Sequence, residues 1–285
     1  MTAETETRQE RSNRIGSSPR VKWTLIAFGG LTAAVLLGLP LAIIFTMALR
    51  EGVALYAAKI IEPDTLHAIW LTVLTALVVV PINTVFGICV AWAVTRHSFR
   101  GQGLLIALVE IPYSVSPVVA GVAYLFLYGM QGLWGPWLQG HDIQIMFTIP
   151  AIFLVSLFVT SPFVARELIA TMQTQGVEDE EAAVSLGATG LQTFLRVTLP
   201  NIRWGLLYGV ILCNARVMGE FGAVSVVSGS IRGETNTLPL QIELLFNDYN
   251  TTGAFAAASI LTLLALVTLG LKLWLERKSP LRGPH

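Results

Sequence analysis

Residues 180–200 read EEAAVSLGATGLQTFLRVTLP, and this stretch decides how the rest of the chain is interpreted. It begins with acidic residues, which suit the positive N-terminal end of a helix dipole. Gly187 allows the backbone to turn or to approach another surface closely, and Pro200 is expected to end the element. One face is predicted to be apolar and carries Leu191, Phe194 and Leu195. The pattern therefore predicts a short helix-turn-helix at a membrane surface, shaped to dock into a groove of a partner.

The remainder of the chain is strongly apolar. Of its 285 residues, 54% are hydrophobic and 13% are charged, whereas soluble domains contain about 25% charged residues. Six apolar runs are each long enough to cross the hydrocarbon core as a helix. They cover residues 21–49, 66–94, 104–130, 143–165, 206–227 and 255–275. We therefore predict an all-α, polytopic membrane protein with six transmembrane helices, forming one domain (21–278) between tails at 1–20 and 279–285.

Positive charge orients these spans. On one side of the predicted membrane only Arg50, Lys59 and Arg232 occur, and the other basic residues, apart from Arg216, are assigned to the opposite side. Cytoplasmic segments carry the excess of basic residues, so both termini and the segment 176–203, here called the elbow, are expected to be cytoplasmic. The formal net charge of zero gives no indication of nucleic-acid binding.

Several catalytic classes lack their motifs in this chain. No lysine follows a glycine, so a phosphate-cradling Gly-Lys-Ser/Thr loop is absent from the sequence. No serine or cysteine occupies a nucleophile elbow, and the four histidines do not pair at the spacing of metal ligands. Cys89 and Cys213 lie in apolar runs, where small core residues are expected. We therefore expect no catalysis, cofactor or metal in this chain, with any chemistry supplied by a partner.

Two charged residues lie inside the fifth apolar run. Arg216 and Glu220 are four residues apart, so a helix would place them on one face. An unpaired charge at the bilayer centre costs about 2.5–3.5 kcal/mol, which favours a structural ion pair. Alternatively, Arg216 faces a transport pathway and meets a passing anion, while Glu220 limits how tightly that anion is held. Both interpretations can hold together. Beside them Ala215, Gly219 and Ala223 form a small-residue stripe that predicts close helix packing.

Prolines interrupt the third run. Pro112 and Pro117 are expected to break its helical hydrogen bonding, with Glu110 nearby. Broken helices often line transporter cavities, which makes Pro117 a candidate gate, although a kink satisfied by neighbouring helices is equally compatible. The polar segment 229–250 is predicted to lie on the far side of the membrane, with a surface helix at 239–246.

The elbow also carries a family signature. The pattern E-A-A, three residues, G, nine residues, I or V, one residue, L-P resembles that of ATP-binding-cassette importer permeases. The matching residues are Glu181, Ala182, Ala183, Gly187, Val197, Leu199 and Pro200. The resemblance implies that residues of about 177–186 form a coupling helix, which seats in a cleft of a separate ATPase subunit and transmits its closure to the membrane helices.

Further segments resemble the sulfate/thiosulfate permeases, and among them the W-type subunit. These are HAIWLTV (67–73), SPVVAG (116–121), TLPNIRWGLLYG (198–209) and NARVMGEFGAVSVVSGSIRGET (214–235). The resemblance implies a type I importer permease in a bacterial inner membrane. Its implied partners are a T-type permease in a heterodimer, two ATPase subunits that bind ATP and Mg, and a periplasmic sulfate/thiosulfate-binding protein that docks at 229–250. Molybdate and tungstate permeases share the portion 216–223, so another oxyanion stays open.

Two other function classes stay open as well. A secondary anion carrier would need inverted repeats and coupling-ion sites, and no convincing repeat is evident. A small membrane enzyme would need clustered titratable groups, for which Glu110, Arg166 and Glu167 are the only loose candidates.

Overall fold

The computed structural model describes residues 19–278, and within that range all regular structure is helical. The all-α fold class is therefore confirmed. In chain order the helices are α1 (Pro19–Ala33), α2 (Leu39–Ala48), α3 (Val53–Ile61), α4 (Pro63–Arg96), α5 (Gln102–Ser114), α6 (Pro117–Tyr128), α7 (Gly135–Gln139), α8 (Ile149–Gln175), α9 (Glu178–Ser185), α10 (Gly190–Thr193), α11 (Leu199–Met218), α12 (Gly222–Val227), α13 (Leu238–Asn247) and α14 (Thr251–Lys278). The tails predicted at 1–20 and 279–285 lie outside the described residues, except that Pro19 and Arg20 begin α1.

Four helical segments of the described range are long and apolar enough to cross a membrane. They are Val21–Ala48, Pro63–Arg96, Ile149–Gln175 and Thr251–Trp274. The pair α5 and α6, which is bent by 108°, adds a fifth crossing if the two helices form one broken span. Helix α11 is not among them, because polar residues, Arg203 and Arg216 included, interrupt its apolar sequence. This arrangement is compatible with the six predicted spans, of which residues 19–278 show four, or five with α5 and α6 as one span, that are long and apolar enough.

The fourth predicted span begins and ends later than expected. It was placed at 143–165, whereas α8 runs from Ile149 to Gln175. Asp142 and Phe147 have φ values of 53° and 63°, so the chain is still turning before α8. Pro150 then lies in its first turn, where the missing N–H of proline is tolerated.

The fifth predicted span is divided in two. Helix α11 ends at Met218 and α12 begins at Gly222, so the small-residue stripe predicted on one helix does not exist as such. Ala223 is buried, while a side-chain carbon added at Gly219 would have only the Ala215 carbonyl oxygen nearby, at 3.5 Å. Gly219 therefore does not mediate the close packing predicted for it.

Pro200 does not end the elbow, contrary to the prediction. It lies in the first turn of α11, which continues directly from a π-helical turn at Phe194–Thr198. In that turn the Leu199 N–H bonds to the Phe194 carbonyl, five residues earlier. The wider turn before the proline accommodates a residue that has no N–H, so the helix continues through it.

Three helices, α4, α8 and α11, form the central core. A side-chain carbon added at Gly87 would come within 2.7 Å of α8, so glycine allows these two helices to approach closely. The Asn83 amide donates to Thr160 Oγ1 over 2.8 Å, which satisfies a polar group buried between α4 and α8. Cys213 is buried in this core as predicted, whereas Cys89 is exposed. The core prediction for Cys89 was wrong because its position on α4 faces outward.

Helix α13 confirms the helix predicted at 239–246, and one face of it, with Glu243 and Phe246, is exposed while the other face is buried. Leu238, Leu240 and Leu245 are buried. Leu238 and Leu245 pack with residues of α4 and α14, and Leu240 packs with residues of α4, α8 and α12. The Leu238 N–H donates to Thr72 Oγ1 over 2.8 Å, so α4 caps the start of α13. Burial of these leucines ties the segment to the bundle.

Candidate coupling elbow and anion pathway

The elbow begins with α9, which confirms that the acidic stretch is helical. All four residues of its first turn are acidic, as the helix dipole favours. Gly176, with φ of 75°, separates α9 from α8 and lets the chain change direction. On α9, Glu181 and Ala182 are exposed and Ala183 is half-buried. The first three motif residues therefore lie on a short helix that is accessible from outside.

Gly187 ends α9 in a Schellman motif. Its N–H donates to the Val184 carbonyl over 2.9 Å, and the Ala188 N–H donates to the Ala183 carbonyl over 3.0 Å. Its φ is 89°, and nothing lies within 4 Å of a side-chain carbon added there. Of the two roles considered for this glycine, the structure supports the turn, while a close approach to the surface of a partner stays a prediction.

A capping box starts the next helical segment. The Gln192 N–H donates to Thr189 Oγ1 over 3.4 Å, and the Thr189 N–H donates to Gln192 Oε1 over 2.9 Å. The two hydrogen bonds satisfy backbone N–H groups that would otherwise have no partner at the start of a helix. The turn between α9 and α10 is therefore held at both ends, by a Schellman motif and by a capping box.

An ion pair attaches the elbow to the bundle. Arg96, the last residue of α4, places Nε 2.6 Å from one oxygen of Glu180 and donates from Nη2 to the other over 3.1 Å. Thr198 Oγ1 donates to the same carboxylate over 2.6 Å. The side chains of Arg96 and Glu180 are only 9% and 14% exposed. Sequence reasoning missed this pair, because no local spacing connects residues from separate helices.

Two amide contacts reinforce the attachment. The Asn201 amide of α11 donates to Asp179 over 2.9 Å, and the Gln175 amide of α8 donates to the Asn201 carbonyl over 2.7 Å. The elbow is thus bonded to the end of α8 and the start of α11 as well as to α4. It forms a braced unit instead of a free loop.

The apolar face predicted for the elbow is divided by the structure. Phe194 turns inward and meets Trp92 of α4 edge-on, with ring centres 5.0 Å apart. Leu191 and Leu195 remain exposed, as do Val184 and Leu186, the last being 90% exposed. Exposed apolar side chains on a braced helical turn are suited to contact with another protein.

The last two motif residues lie at the base of the elbow. Leu199 is half-buried and Pro200 is exposed, both at the start of α11. Next to the elbow is an open groove of about 820 Å³, with Trp92, Arg96, Glu181 and Val184 among its lining residues. The motif therefore spans two parts of the elbow: the exposed α9 and its turn, and the junction with α11.

The second candidate site is the ion pair between Arg216 and Glu220. Arg216 Nη1 lies 2.6 Å from Glu220 Oε2, which confirms the predicted pairing. The Glu220 side chain is 1% exposed and that of Arg216 is 32% exposed. Contrary to the prediction, the two residues do not share one helix, because α11 ends at Met218. Glu220 also accepts the Ala223 N–H over 3.0 Å, so one carboxylate links the end of α11 to the first turn of α12.

Pro117 lies directly opposite this break. It is the first residue of α6, and a side-chain carbon added at Gly222 would lie 3.2 Å from its Cβ. A carbon added at Gly121 would lie 2.8 Å from the Ala223 carbonyl. Contrary to the prediction, Pro112 does not break the third span. It lies within α5, which continues to Ser114. The interruptions of two helices therefore meet, and they bring Pro117 and Glu220 to the same region.

The sequence comparisons agree on one class of protein. Residues 83–279 match the family described as binding-protein-dependent transport system inner membrane component. The chain is 58% identical over 255 residues to the sulfate transport system permease protein CysW of Escherichia coli (strain K12), covering 90% of this chain and 88% of that protein. It is 49% identical to the corresponding protein of Synechocystis sp., covering 91% and 94%. It is 35% identical to the sulfate transport system permease protein CysT of E. coli, covering 84% of this chain and 86% of that protein.

A solved structure has the same fold. It is a chain of a bacterial alginate ABC transporter in complex with an alginate pentasaccharide-bound periplasmic protein, with a TM-score of 0.74. The alignment covers 91% of this chain and 94% of that chain at 16% identity. At this identity the likeness concerns the fold alone.

Proposed function

The chain belongs to the family of inner membrane components of binding-protein-dependent transport systems, and from this premise we propose that it is a permease subunit of an ATP-driven sulfate importer. Members of this family are transport components and not enzymes. The observation that carries the proposed substrate is the 58% identity to a sulfate transport permease over 90% of the chain. Thiosulfate is proposed as a second substrate on the resemblance of the sequence to sulfate/thiosulfate permeases.

The elbow is proposed to couple ATP hydrolysis to the membrane helices. Exposed Leu186 and Leu191 provide an apolar contact for a separate ATPase subunit, next to the motif residues Glu181, Ala182 and Ala183. A push on this surface passes to α4 through Arg96 and Glu180, and to α8 and α11 through Asn201. Because a braced unit moves as one body, the ATPase can rock whole helices, as alternating access requires.

The proposed partners follow from the assignment as a permease subunit of an ATP-driven importer. We expect two ATPase subunits, which hold ATP and Mg, and a T-type permease related to the 35% identical protein, together forming a heterodimeric pore. A periplasmic sulfate/thiosulfate-binding protein is proposed to dock at residues 229–250 and to supply most of the selectivity. Both termini and the elbow are proposed to lie on the cytoplasmic side of the inner membrane, and the membrane-spanning helices are proposed to be surrounded by lipid.

Arg216 is proposed to contact the anion in the pathway. It exposes about a third of its side chain while Glu220 holds its other side. A partly neutralised guanidinium can attract a dianion without holding it too tightly for release. Its location near the break opposite Pro117 would connect anion passage to movement of two interrupted helices.

Uptake of labelled sulfate tests the substrate. Cells lacking this chain would be compared with cells in which it is restored, with unlabelled thiosulfate and molybdate as competitors. We expect restored uptake that thiosulfate blocks and molybdate does not. Inhibition by molybdate instead would favour the oxyanions whose permeases share the 216–223 portion. Uptake that does not require the ATPase subunit would favour a secondary carrier.

A further inference from the structure

Helices α5 and α8 carry a charged cluster that neither the elbow nor the Arg216–Glu220 pair includes. Glu110 Oε1 lies 3.9 Å from Arg166 Nε, and the two side chains are 51% and 48% exposed. The Arg166 guanidinium lies over the ring of Tyr113, 4.7 Å from its centre. Tyr113 meets Phe163 edge-on, with ring centres 6.1 Å apart. An arginine is thus held on an aromatic support at an open surface.

The cluster lies deep along both helices. Glu110 is eight residues beyond the start of α5 at Gln102, and Arg166 is nine residues before the end of α8 at Gln175. At 1.5 Å per residue these positions are about 12–14 Å from the helix ends next to the elbow. Because a hydrocarbon core is about 30 Å thick, the cluster belongs to the elbow-side half of the membrane.

Lipid cannot be what covers this surface. Each charged group at the bilayer centre costs about 2.5–3.5 kcal/mol, so a half-exposed ion pair at this depth requires protein or water around it. Exposed Ser114 and Ser116 continue the polar surface from Tyr113 to the break before Pro117. The polar strip, defined as Glu110, Tyr113, Ser114, Ser116 and Arg166, therefore leads from the cluster to the meeting point of the two broken helices.

The geometry of Arg166 favours water over a packed interface. Arg96 is 9% exposed and makes a two-point contact with Glu180. Arg166 is about half exposed and approaches Glu110 at one point only. Within residues 19–278 its guanidinium makes no hydrogen bond, which leaves its fork of N–H donors available. A planar fork stacked on an aromatic ring is suited to an oxyanion, which accepts two parallel N–H bonds.

We propose that Arg166 is an anion-contacting residue on the inner half of the transport pathway, with tetrahedral oxyanion dianions as its ligands. This inference rests on the proposed function and adds a contact nearer the elbow than Arg216. Tyr113 holds the guanidinium in place, and Glu110 weakens its attraction for the anion. An anion would contact Arg216 first and Arg166 next. Because a carboxylate partly neutralises each arginine, neither one would bind the anion too tightly for release.

Transport by the complete importer in proteoliposomes tests the role of Arg166. We expect Arg166→Gln to reduce the sulfate transported per ATP hydrolysed at least ten-fold, and Arg166→Lys to retain part of it. Lys59→Gln is the control, since it removes a cation from the half-buried Lys59–Glu62 pair outside the spans. Unchanged transport by Arg166→Gln would overturn the inference. Loss of assembly with the partner permease would overturn it as well, in favour of an interface.

Thiol labelling tests water access directly. With Cys89→Ser and Cys213→Ala as background, Arg166→Cys is treated from the elbow side with a charged, membrane-impermeant thiol reagent. We expect labelling that sulfate slows, whereas Val267→Cys, an exposed position on apolar α14, should not react. Ser114→Cys gives a second position on the polar strip if Arg166→Cys does not assemble. Failure of both positions to react under any nucleotide condition would contradict the inference.

The two assays separate this inference from the proposed function. If vesicles with the wild-type chain take up no sulfate, the substrate assignment is overturned. If they take up sulfate but position 166 never reacts, only the pathway role of Arg166 is overturned.

Discussion

Glu180 on α9 and Arg96 at the end of α4 form a two-point ion pair, with Arg96 Nε 2.6 Å from the carboxylate, across 84 residues of sequence. Both side chains are nearly buried. Through this pair the proposed docking element is joined directly to a membrane-spanning helix. The contact therefore provides a physical route by which movement of the elbow reaches the bundle.

Glu180→Gln should weaken this joint. Removing one partner of a buried ion pair leaves the other charge uncompensated, at a cost of about 3 kcal/mol. We expect a lower melting temperature of the purified complex in detergent and a lower ratio of sulfate uptake to ATP hydrolysis. Glu178→Gln is the matched control, because Glu178 is exposed in the same turn of α9. Equal effects of the two substitutions would contradict the proposed role of the pair.

A double substitution tests whether Arg96 and Glu180 act together. Arg96→Gln combined with Glu180→Gln should cost less than the sum of the two single substitutions, since no unpaired charge remains. The coupling energy from a double-mutant cycle should exceed about 1 kcal/mol. Strict additivity in melting experiments would show that the two residues act independently.

Gly187→Val should disturb the elbow without preventing insertion into the membrane. The φ of 89° disfavours any side chain, by about 1–2 kcal/mol, although there is open space around the added carbon. We expect normal amounts of protein in the membrane, ATP hydrolysis that no longer drives uptake, and faster hydrogen exchange at Ala188. Gly190→Ala is the control, because its surroundings are equally open and its backbone has no positive φ. Wild-type uptake by Gly187→Val would contradict a role of the turn in docking.

Arg216→Gln should destabilise the complex more than Arg216→Gln combined with Glu220→Gln. The single substitution leaves a buried carboxylate without its counter-charge, which costs about 3–5 kcal/mol. In the double variant, the amide oxygen at position 220 can still accept the Ala223 N–H. Melting temperatures in detergent measure the difference, and a double variant less stable than the single one would contradict this account.

Exchanging the two charges does not isolate the ion pair. With Glu220→Arg the side chain at position 220 has no acceptor, so the bond from the Ala223 N–H is lost even when the pair is kept. We expect the exchanged variant, Arg216→Glu with Glu220→Arg, to be less stable than wild type for this reason alone. Full stability of that variant would indicate that the link to α12 contributes little.

Gly121→Ala should increase the distance between α6 and α12 where they cross. The added carbon would lie 2.8 Å from the Ala223 carbonyl and 2.9 Å from Val226 Cβ, so one helix has to shift. Such overpacking costs about 1–3 kcal/mol. Gly103→Ala on α5 is the control, since nothing lies within 4 Å of its added carbon. A lower melting temperature for Gly121→Ala alone is expected, and equal melting temperatures would contradict the tight crossing.

Much of the fold could be predicted from local sequence. Long apolar runs predicted the membrane-spanning helices, because a backbone in lipid must satisfy its own hydrogen bonds. The acidic first turn and Gly187 predicted α9 and its end, since dipole and φ preferences act within one or two turns of helix. The pairing of Arg216 with Glu220 could also be predicted, because the two lie close in sequence and unpaired charges are costly in a membrane.

Other features depended on contacts between distant segments. No spacing predicted that Arg96 would meet Glu180, that Phe194 would turn inward onto Trp92, or that Pro117 would face Gly222. Helix α11 ends at Met218 within a run that reads as continuous, and Glu220 then joins its end to α12. Sequence by itself determined which segments are helical and which carry charge into the membrane, because those properties follow from short-range hydrogen bonding and hydrophobicity. Only the tertiary structure decided which charges pair, where helices break and which polar surface stays open, because these depend on what each face packs against.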